Sequence, residues 1–252
     1  MNKLRLAYLY PDYLNLYGDR GNIICLRKRA IWHNFDFEVT RISIGDKFEP
    51  YKYDLIFMGG GQDSDQQLIY DDLINDKGER LKEAIEAGIV MLSICGGYQL
   101  MGHRYVDHSG REIKGLGILD IETIAKPGRL VGDLIFETQL PIENKVLIGF
   151  ENHGGRTYLG KKAKPIGKVL VGSGNNGEDQ SEGVYYKNLY GTYSHGSFLP
   201  RNPDMADYLL KLAVERKGFE WQEDNNSKFN QFVLPARKRI LTKYSKLSEL
   251  EL

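Results

Sequence analysis

Two apolar runs of strand length stop abruptly on glycine, and this pattern restricts the fold more than anything else in the chain. Leu55-Ile56-Phe57-Met58 ends at Gly59-Gly60-Gly61, and Ile89-Val90-Met91-Leu92-Ser93-Ile94 ends at Cys95-Gly96-Gly97. Runs this short and this uniformly apolar suit strands buried on both faces. Around them, strand and helix patterns alternate. Residues 4–10, 35–42 and 54–58 read as strands, and 22–33, 66–75 and 78–87 as helices. That rhythm predicts βαβ units and an α/β fold: a three-layer sandwich with a mostly parallel central sheet covered on both faces.

After residue 100 the rhythm changes. Short strand patterns over residues 117–124, 146–150, 168–171, 183–187 and 189–193 are separated by glycine-rich turns, which predicts a more β-rich second half. Residues 203–214 read as a helix, with Pro203 placed to start it. The polar stretch 222–228 reads as a linker. The tail, residues 229–252, carries Phe229, Phe232, Val233, Ile240, Leu241 and Leu247 among basic residues. A helix docked on the domain, a helix docked on another protein and a frayed terminus all fit it. The expected division is one domain over residues 1–217, then a linker and helical tail over 218–252.

Bulk properties narrow the class. Lys+Arg and Asp+Glu balance at 34 each, so no net field draws the chain to nucleic acid or to an anionic membrane. The first residues run straight into a strand pattern without the h-region of an export signal, and no apolar run is long enough to cross a bilayer. The 2 cysteines have no metal-type spacing, so both are expected as reduced thiols in a cytoplasmic protein without a bound metal.

Cys95 carries the chemistry. An apolar strand, a small residue at Ser93, then Cys95-Gly96-Gly97 and a helix-compatible run spell the cysteine form of a nucleophile elbow. A helix N-terminus there favours the thiolate, and the Gly96 amide can face a developing oxyanion. Gly59-Gly60-Gly61-Gln62-Asp63 ends the neighbouring strand, so Gly60 and Gly61 can supply further oxyanion amides. This glycine loop lacks the G-x-G-x-x-G spacing of a dinucleotide site, and no G-x-x-x-x-G-K-[ST] loop occurs in the chain. Cys25, without flanking glycines, reads as core. A thiolate needs a base, and both His153 and His195 follow a strand pattern and precede glycine. The residues alone leave that choice open.

The Gly-Gly-Gly loop, Cys95-Gly96-Gly97-Tyr98-Gln99, Glu151-Asn152-His153 and Tyr193-Ser194-His195-Gly196 together resemble the class I glutamine amidotransferases, specifically the cobyric-acid-synthase-like branch. The resemblance covers roughly residues 4–215 and implies a flavodoxin-like α/β core. Residues 15–19, 121–132 and 149–158 extend it to stand-alone glutaminases that feed ammonia to a separate ligase. It implies that Cys95 is the nucleophile, His195 its base and acid, and Arg129 the grip on the glutamine α-carboxylate. It also implies that Gly60, Gly61, Gly96, Gln99 and His153 surround the substrate. The implied partner is a MurT-like subunit of the Mur-ligase family that binds ATP and Mg. That subunit amidates the D-glutamate α-carboxyl of lipid II for peptidoglycan, which would bring the pair to the inner membrane face. The chain itself needs no cofactor. One departure stands out: Ser197 occupies the position where class I enzymes carry a triad glutamate. The expectation is therefore a Cys–His dyad, with His195 oriented by a backbone carbonyl or by an acid from the partner. An amidotransferase for a cobyrinate-like acceptor, a cysteine-elbow hydrolase or redox protein, and a non-catalytic scaffold are the rival readings.

Overall fold

The computed structural model describes residues 2–222 and 230–244. The first half builds β1 (Lys3–Leu9), α1 (Arg20–Trp32), β2 (Asp36–Ile42), β3 (Leu55–Met58), α2 (Asp63–Asp71), α3 (Gly78–Glu86), β4 (Val90–Ile94) and α4 (Gly96–Leu100). Then come β5 (Arg104–Val106), β6 (Glu112–Lys114), β7 (Ile121–Thr138), β8 (Val146–Leu159), β9 (Gly167–Val171), β10 (Ser181–Glu182), β11 (Val184–Tyr186) and β12 (Leu189–Thr192). Three helices close the chain: α5 (Phe198–Arg201), α6 (Pro203–Arg216) and α7 (Asn230–Leu241).

The first sheet has the order β11-β12-β4-β3-β1-β2, and every pairing is parallel except β11 with β12. Every residue of β3, β4 and β12 is buried, which is why their sequences are apolar without alternation. Five adjacent strands are therefore parallel, and at one edge the carboxyl ends of four of them, β1, β3, β4 and β12, launch their loops together. Open parallel sheets place ligands at that edge.

The second sheet runs β10-β9-β7-β5-β6, with β8 paired to β7. Here the structure differs from the sequence reading. Two short strands were expected, at residues 117–124 and 146–150; instead β7 and β8 form one long antiparallel ribbon. Pro127 and Gly128 look like a turn because one lacks an amide hydrogen and the other adopts φ +80°. The ribbon absorbs them as a bulge, with a register shift between Ala125 and Leu130. Helix α2 likewise begins earlier than expected, its first turn tied by Asp65 Oδ2 accepting from the Gln62 amide at 2.9 Å. A π-helical segment over Asp72–Lys77 joins it to α3.

Of the tail, α7 lies against the domain. Leu241 packs with Ile135, Val146 and Ile148, and buried Arg237 donates to the carbonyl oxygens of Arg201 and Val146. The expected linker beyond Gln222 and the tail beyond Tyr244 lie outside the described residues. Among those described, no helix is long and apolar enough to cross a membrane.

Candidate active site

β4 hands the chain to Cys95 in a conformation few L-residues adopt, φ 47° and ψ −107°. The strained elbow expected from the sequence is present. The Cys95 amide donates to the Thr192 carbonyl oxygen at 2.9 Å, and the Cys95 carbonyl accepts from the Gln99 amide at 2.8 Å. Its neighbours must be small. A Cβ at Gly97 would lie 2.8 Å from the Gly59 carbonyl oxygen, and one at Gly96 would lie 2.8 Å from Gln66 Nε2.

His195 follows β12 and is fully buried beside Cys95. Its amide donates to the Phe150 carbonyl oxygen at 2.7 Å, which fastens the histidine loop to the second sheet. Burial by itself would lower the imidazole pKa. The Cys95 thiolate and the Asp19 carboxylate outweigh burial and carry it up to about 10. His153 has different company: it stacks on Tyr193 at 3.6 Å between ring centroids, with Nδ1 2.7 Å from the Gly155 carbonyl oxygen. Of the two histidines, His195 is the one that lies directly beside Cys95, and His153 is held by Tyr193 and Gly155.

Asp19 is the main correction. A dyad without a carboxylate in this chain was expected, yet Asp19 is fully buried with Oδ1 3.5 Å from His195 Nδ1. Its Oδ2 accepts from the Gly60 amide at 2.8 Å. Among the described residues, Asp19 Oδ1 and both His195 ring nitrogens are buried without hydrogen-bond partners. Buried polar atoms are seldom left so. Three of them at one point suit groups whose hydrogen bonds tighten when a reactant arrives.

The same contact corrects the oxyanion assignment. The Gly60 amide is already committed to Asp19, whereas the Gly61 and Gly96 amides make no hydrogen bond among the described residues. Gly60 serves by having no side chain: a Cβ there would lie 2.7 Å from His195 Cε1 and 3.2 Å from Cys95 Cβ. Gly60→Ala should therefore push imidazole and thiol apart and lower glutaminase activity roughly 100-fold or more in a folded protein. Glutamate release measured beside a circular dichroism spectrum checks this; unchanged activity would show that the two groups need not stay in register.

A cavity of about 440 Å³ opens over Cys95. Gly61, Gln99, Arg129 and His153 line it too, so five of the eight expected residues share one pocket. His195 and Gly60 pack against Cys95 without lining the cavity, and Gly96 forms the turn that follows Cys95. Both ends of the Gln99 amide are engaged, with Tyr193 Oη at 3.0 Å and Gln66 Nε2 at 3.1 Å, so it is a fixed wall. Arg129 is held by Asn152: Nε reaches Oδ1 and Nη2 reaches the carbonyl oxygen, both at 2.7 Å. Asn152 Nδ2 in turn donates to Tyr17 Oη at 2.8 Å, and the Tyr17 ring stands edge-on to His195 at 4.9 Å.

The sequence reading missed Asp19, Tyr17, Asn152 and Gln66 as site residues. The signal for the first two was at hand, since both lie in the stretch 15–19 that contributes to the family resemblance. Residues Gly172, Gly174 and Gly177 do have dinucleotide-loop spacing, but the loop leads into β10 without a helix. Its Ser173 and Gly174 amides already hold the Glu151 carboxylate, at 2.7 and 2.9 Å. Among the described residues no group of three acidic, histidine or cysteine side chains could hold a metal ion.

Residues 5–203 match the model of the CobB/CobQ-like glutamine amidotransferase domain. The chain belongs to this family. Among relatives of this amidotransferase, subunit GatD of the glutamine-hydrolysing lipid II isoglutaminyl synthase from Staphylococcus aureus is 46% identical over 90% of this chain and 91% of its own. The Streptococcus pneumoniae GatD is 41% identical over 85% of this chain and 82% of its own. A probable cobyric acid synthase of Methanothermobacter thermautotrophicus is 30% identical, over 86% of this chain but 44% of its own length. In fold, the amidotransferase resembles a Thermotoga maritima glutamine amidotransferase with a TM-score of 0.54 at 17% identity, covering 97% of this chain and 94% of that one. It also resembles the glutaminase domain of Trypanosoma brucei CTPS, with a TM-score of 0.52 at 12% identity over 86% and 95%. These two likenesses bear on architecture alone.

Proposed function

We propose that this amidotransferase is the glutamine-hydrolysing subunit of a lipid II isoglutaminyl synthase. It would pass ammonia to a MurT-like, ATP-dependent subunit that amidates the D-glutamate α-carboxyl of lipid II. The observation that carries the reading is near-full-length identity of 46% to a GatD chain, combined with a pocket that places Cys95 and Arg129 on the same walls. In the proposed cycle the Cys95 thiolate attacks the glutamine Cδ. The Gly61 and Gly96 amides receive the oxyanion, and the His195 imidazolium protonates the departing ammonia. Water then attacks the γ-glutamyl thioester, with His195 as base and Asp19 holding the ring. Helix α4 has only five residues, so its dipole is a minor aid to the thiolate and the imidazolium is the principal one. ATP and Mg belong to the partner's half of the reaction.

Affinity purification of the full chain from its host tests the assignment: a Mur-ligase-family subunit should copurify, and the pair should amidate lipid II with glutamine and ATP. Amidation of a cobyrinate-type acceptor instead would overturn it. Arg129 supplies a graded check. Its planar fork suits a carboxylate, and Nη1 makes no hydrogen bond among the described residues. Arg129→Ala should raise the KM for glutamine about 10- to 100-fold with a smaller change in kcat. A fall in kcat alone would place Arg129 in the chemistry rather than in binding.

A further inference from the structure

Glutamine presents its α-carbon as a zwitterion, and the reading above assigns only its negative half. The walls of the cavity over Cys95 carry one basic and one acidic side chain, Arg129 and Asp63. They come from different parts of the fold. Arg129 sits in the bulge of β7 and Asp63 at the first turn of α2, directly after the Gly59-Gly60-Gly61 loop. Asp63 is solvent-exposed yet held in place: Tyr105 on β5 donates its hydroxyl to Asp63 Oδ1 at 3.0 Å, and Tyr105 itself is buried and lines the same cavity. Burial and the neighbouring Asp63 both raise the Tyr105 pKa, so the phenol keeps its proton and stays a donor. Among the described residues, the side-chain partner of Asp63 is the Tyr105 hydroxyl and no cation pairs with it. A carboxylate fixed by a neutral donor, without a counter-ion, on the wall of a pocket whose other charge is a guanidinium is arranged to receive a cation.

We propose that Asp63 binds the α-ammonium of the substrate, so that Asp63 and Arg129 together make the site selective for an α-amino acid. This rests on glutamine being the substrate. A charge-assisted hydrogen bond made equally in ground and transition states lowers KM and leaves kcat nearly unchanged. Asp63 is thus a specificity residue, separate from Cys95, His195 and Asp19.

The test compares L-glutamine with its desamino analogue 4-carbamoylbutanoate, which keeps the carboxylate and the amide but lacks the ammonium. The full chain is used, with its ligase subunit where the two copurify, and glutamate or glutarate release is followed. The wild type should favour glutamine over the analogue by about 10- to 100-fold in kcat/KM. Asp63→Asn keeps an acceptor for the Tyr105 hydroxyl. It should lose most of that preference through KM for glutamine, leaving the analogue's kcat/KM within about threefold of wild type. Asp63→Glu should restore part of the preference. Equal losses on both substrates would make Asp63 a structural prop and overturn the inference, as would an unchanged preference. A wild-type chain that hydrolyses neither substrate would overturn the glutaminase reading and this inference with it. Intact glutamine turnover with intact preference in Asp63→Asn would overturn this inference alone.

Discussion

Cys95→Ala is expected to reduce glutamine hydrolysis on the order of 10⁵-fold or more while leaving the fold intact. Alanine keeps the Cβ, so the packing against Gly60 is unchanged and only the sulfur is lost. Without it no acyl-enzyme can form, and neither His195 nor the free amides can replace the nucleophile, because the residues of such a site act as a unit. Glutamate release and alkylation by diazo-oxo-norleucine, which mimics glutamine, measure the loss. The chain offers an internal control. Cys25 lies in α1, where burial pushes its thiol up to about 12, so it should not be alkylated at neutral pH. Cys25→Ala should therefore leave labelling and activity within about twofold, whereas Cys95→Ala should leave no label. Activity above roughly 1% of wild type in Cys95→Ala would sink the acyl-enzyme mechanism.

The elbow at Cys95 could be found from sequence because everything that builds the turn is local. The apolar run Val90–Ile94, the positive φ at Cys95 and the glycines that permit the turn are consecutive residues. The parallel sheet was legible for the same reason: β3 and β4 are buried on both faces, and burial of that kind writes itself as an unbroken apolar run. Asp19 was not legible in that way. It stands in an irregular loop after β1 while His195 stands after β12, and only the strand order β12-β4-β3-β1 brings the two loops to one edge. A sequence shows that Gly60 must be small. It does not show that the amide of Gly60 faces Asp19 instead of the reacting carbonyl. The β7–β8 ribbon was misread because Pro127-Gly128 carries turn chemistry, and a bulge uses the same chemistry without ending the strand. Arg129 owes its place over the pocket to that bulge.

The Tyr17–Asn152–Arg129 contacts show why the second sheet matters for function. In the proposed cycle the parallel sheet supplies the reacting groups, and the ribbon supplies the polar wall that would orient a substrate above them. The join between the two is short and made of hydrogen bonds: the Phe150 carbonyl accepts from the His195 amide, and Asn152, two residues along β8, accepts from Arg129. Displacement of the ribbon would therefore move Arg129 and the imidazole together.

Asp19→Asn is the sharpest test of that arrangement, with an expected loss on the order of 10³–10⁴ in kcat, as for acid-to-amide changes in other nucleophile–histidine–acid sites. The substitution is nearly isosteric. One side-chain atom of asparagine can still accept from the Gly60 amide, which leaves its NH₂ facing His195 Nδ1. An NH₂ group there favours the tautomer with Nδ1 unprotonated, and that is the wrong one for a base that must present Nε2 to the thiol. The charge matters as well. Asp19 is one of the two groups that hold the imidazole pKa up near 10 against the opposing effect of burial. Removing it lowers that pKa, so the imidazolium that protonates ammonia is lost at lower pH and the alkaline limb of the kcat/KM profile should move down. A merely structural aspartate would lower activity or stability without moving that limb. If Asp19→Asn stays within about fivefold of wild type at every pH, His195 is oriented by a backbone carbonyl or by an acid from the partner subunit instead.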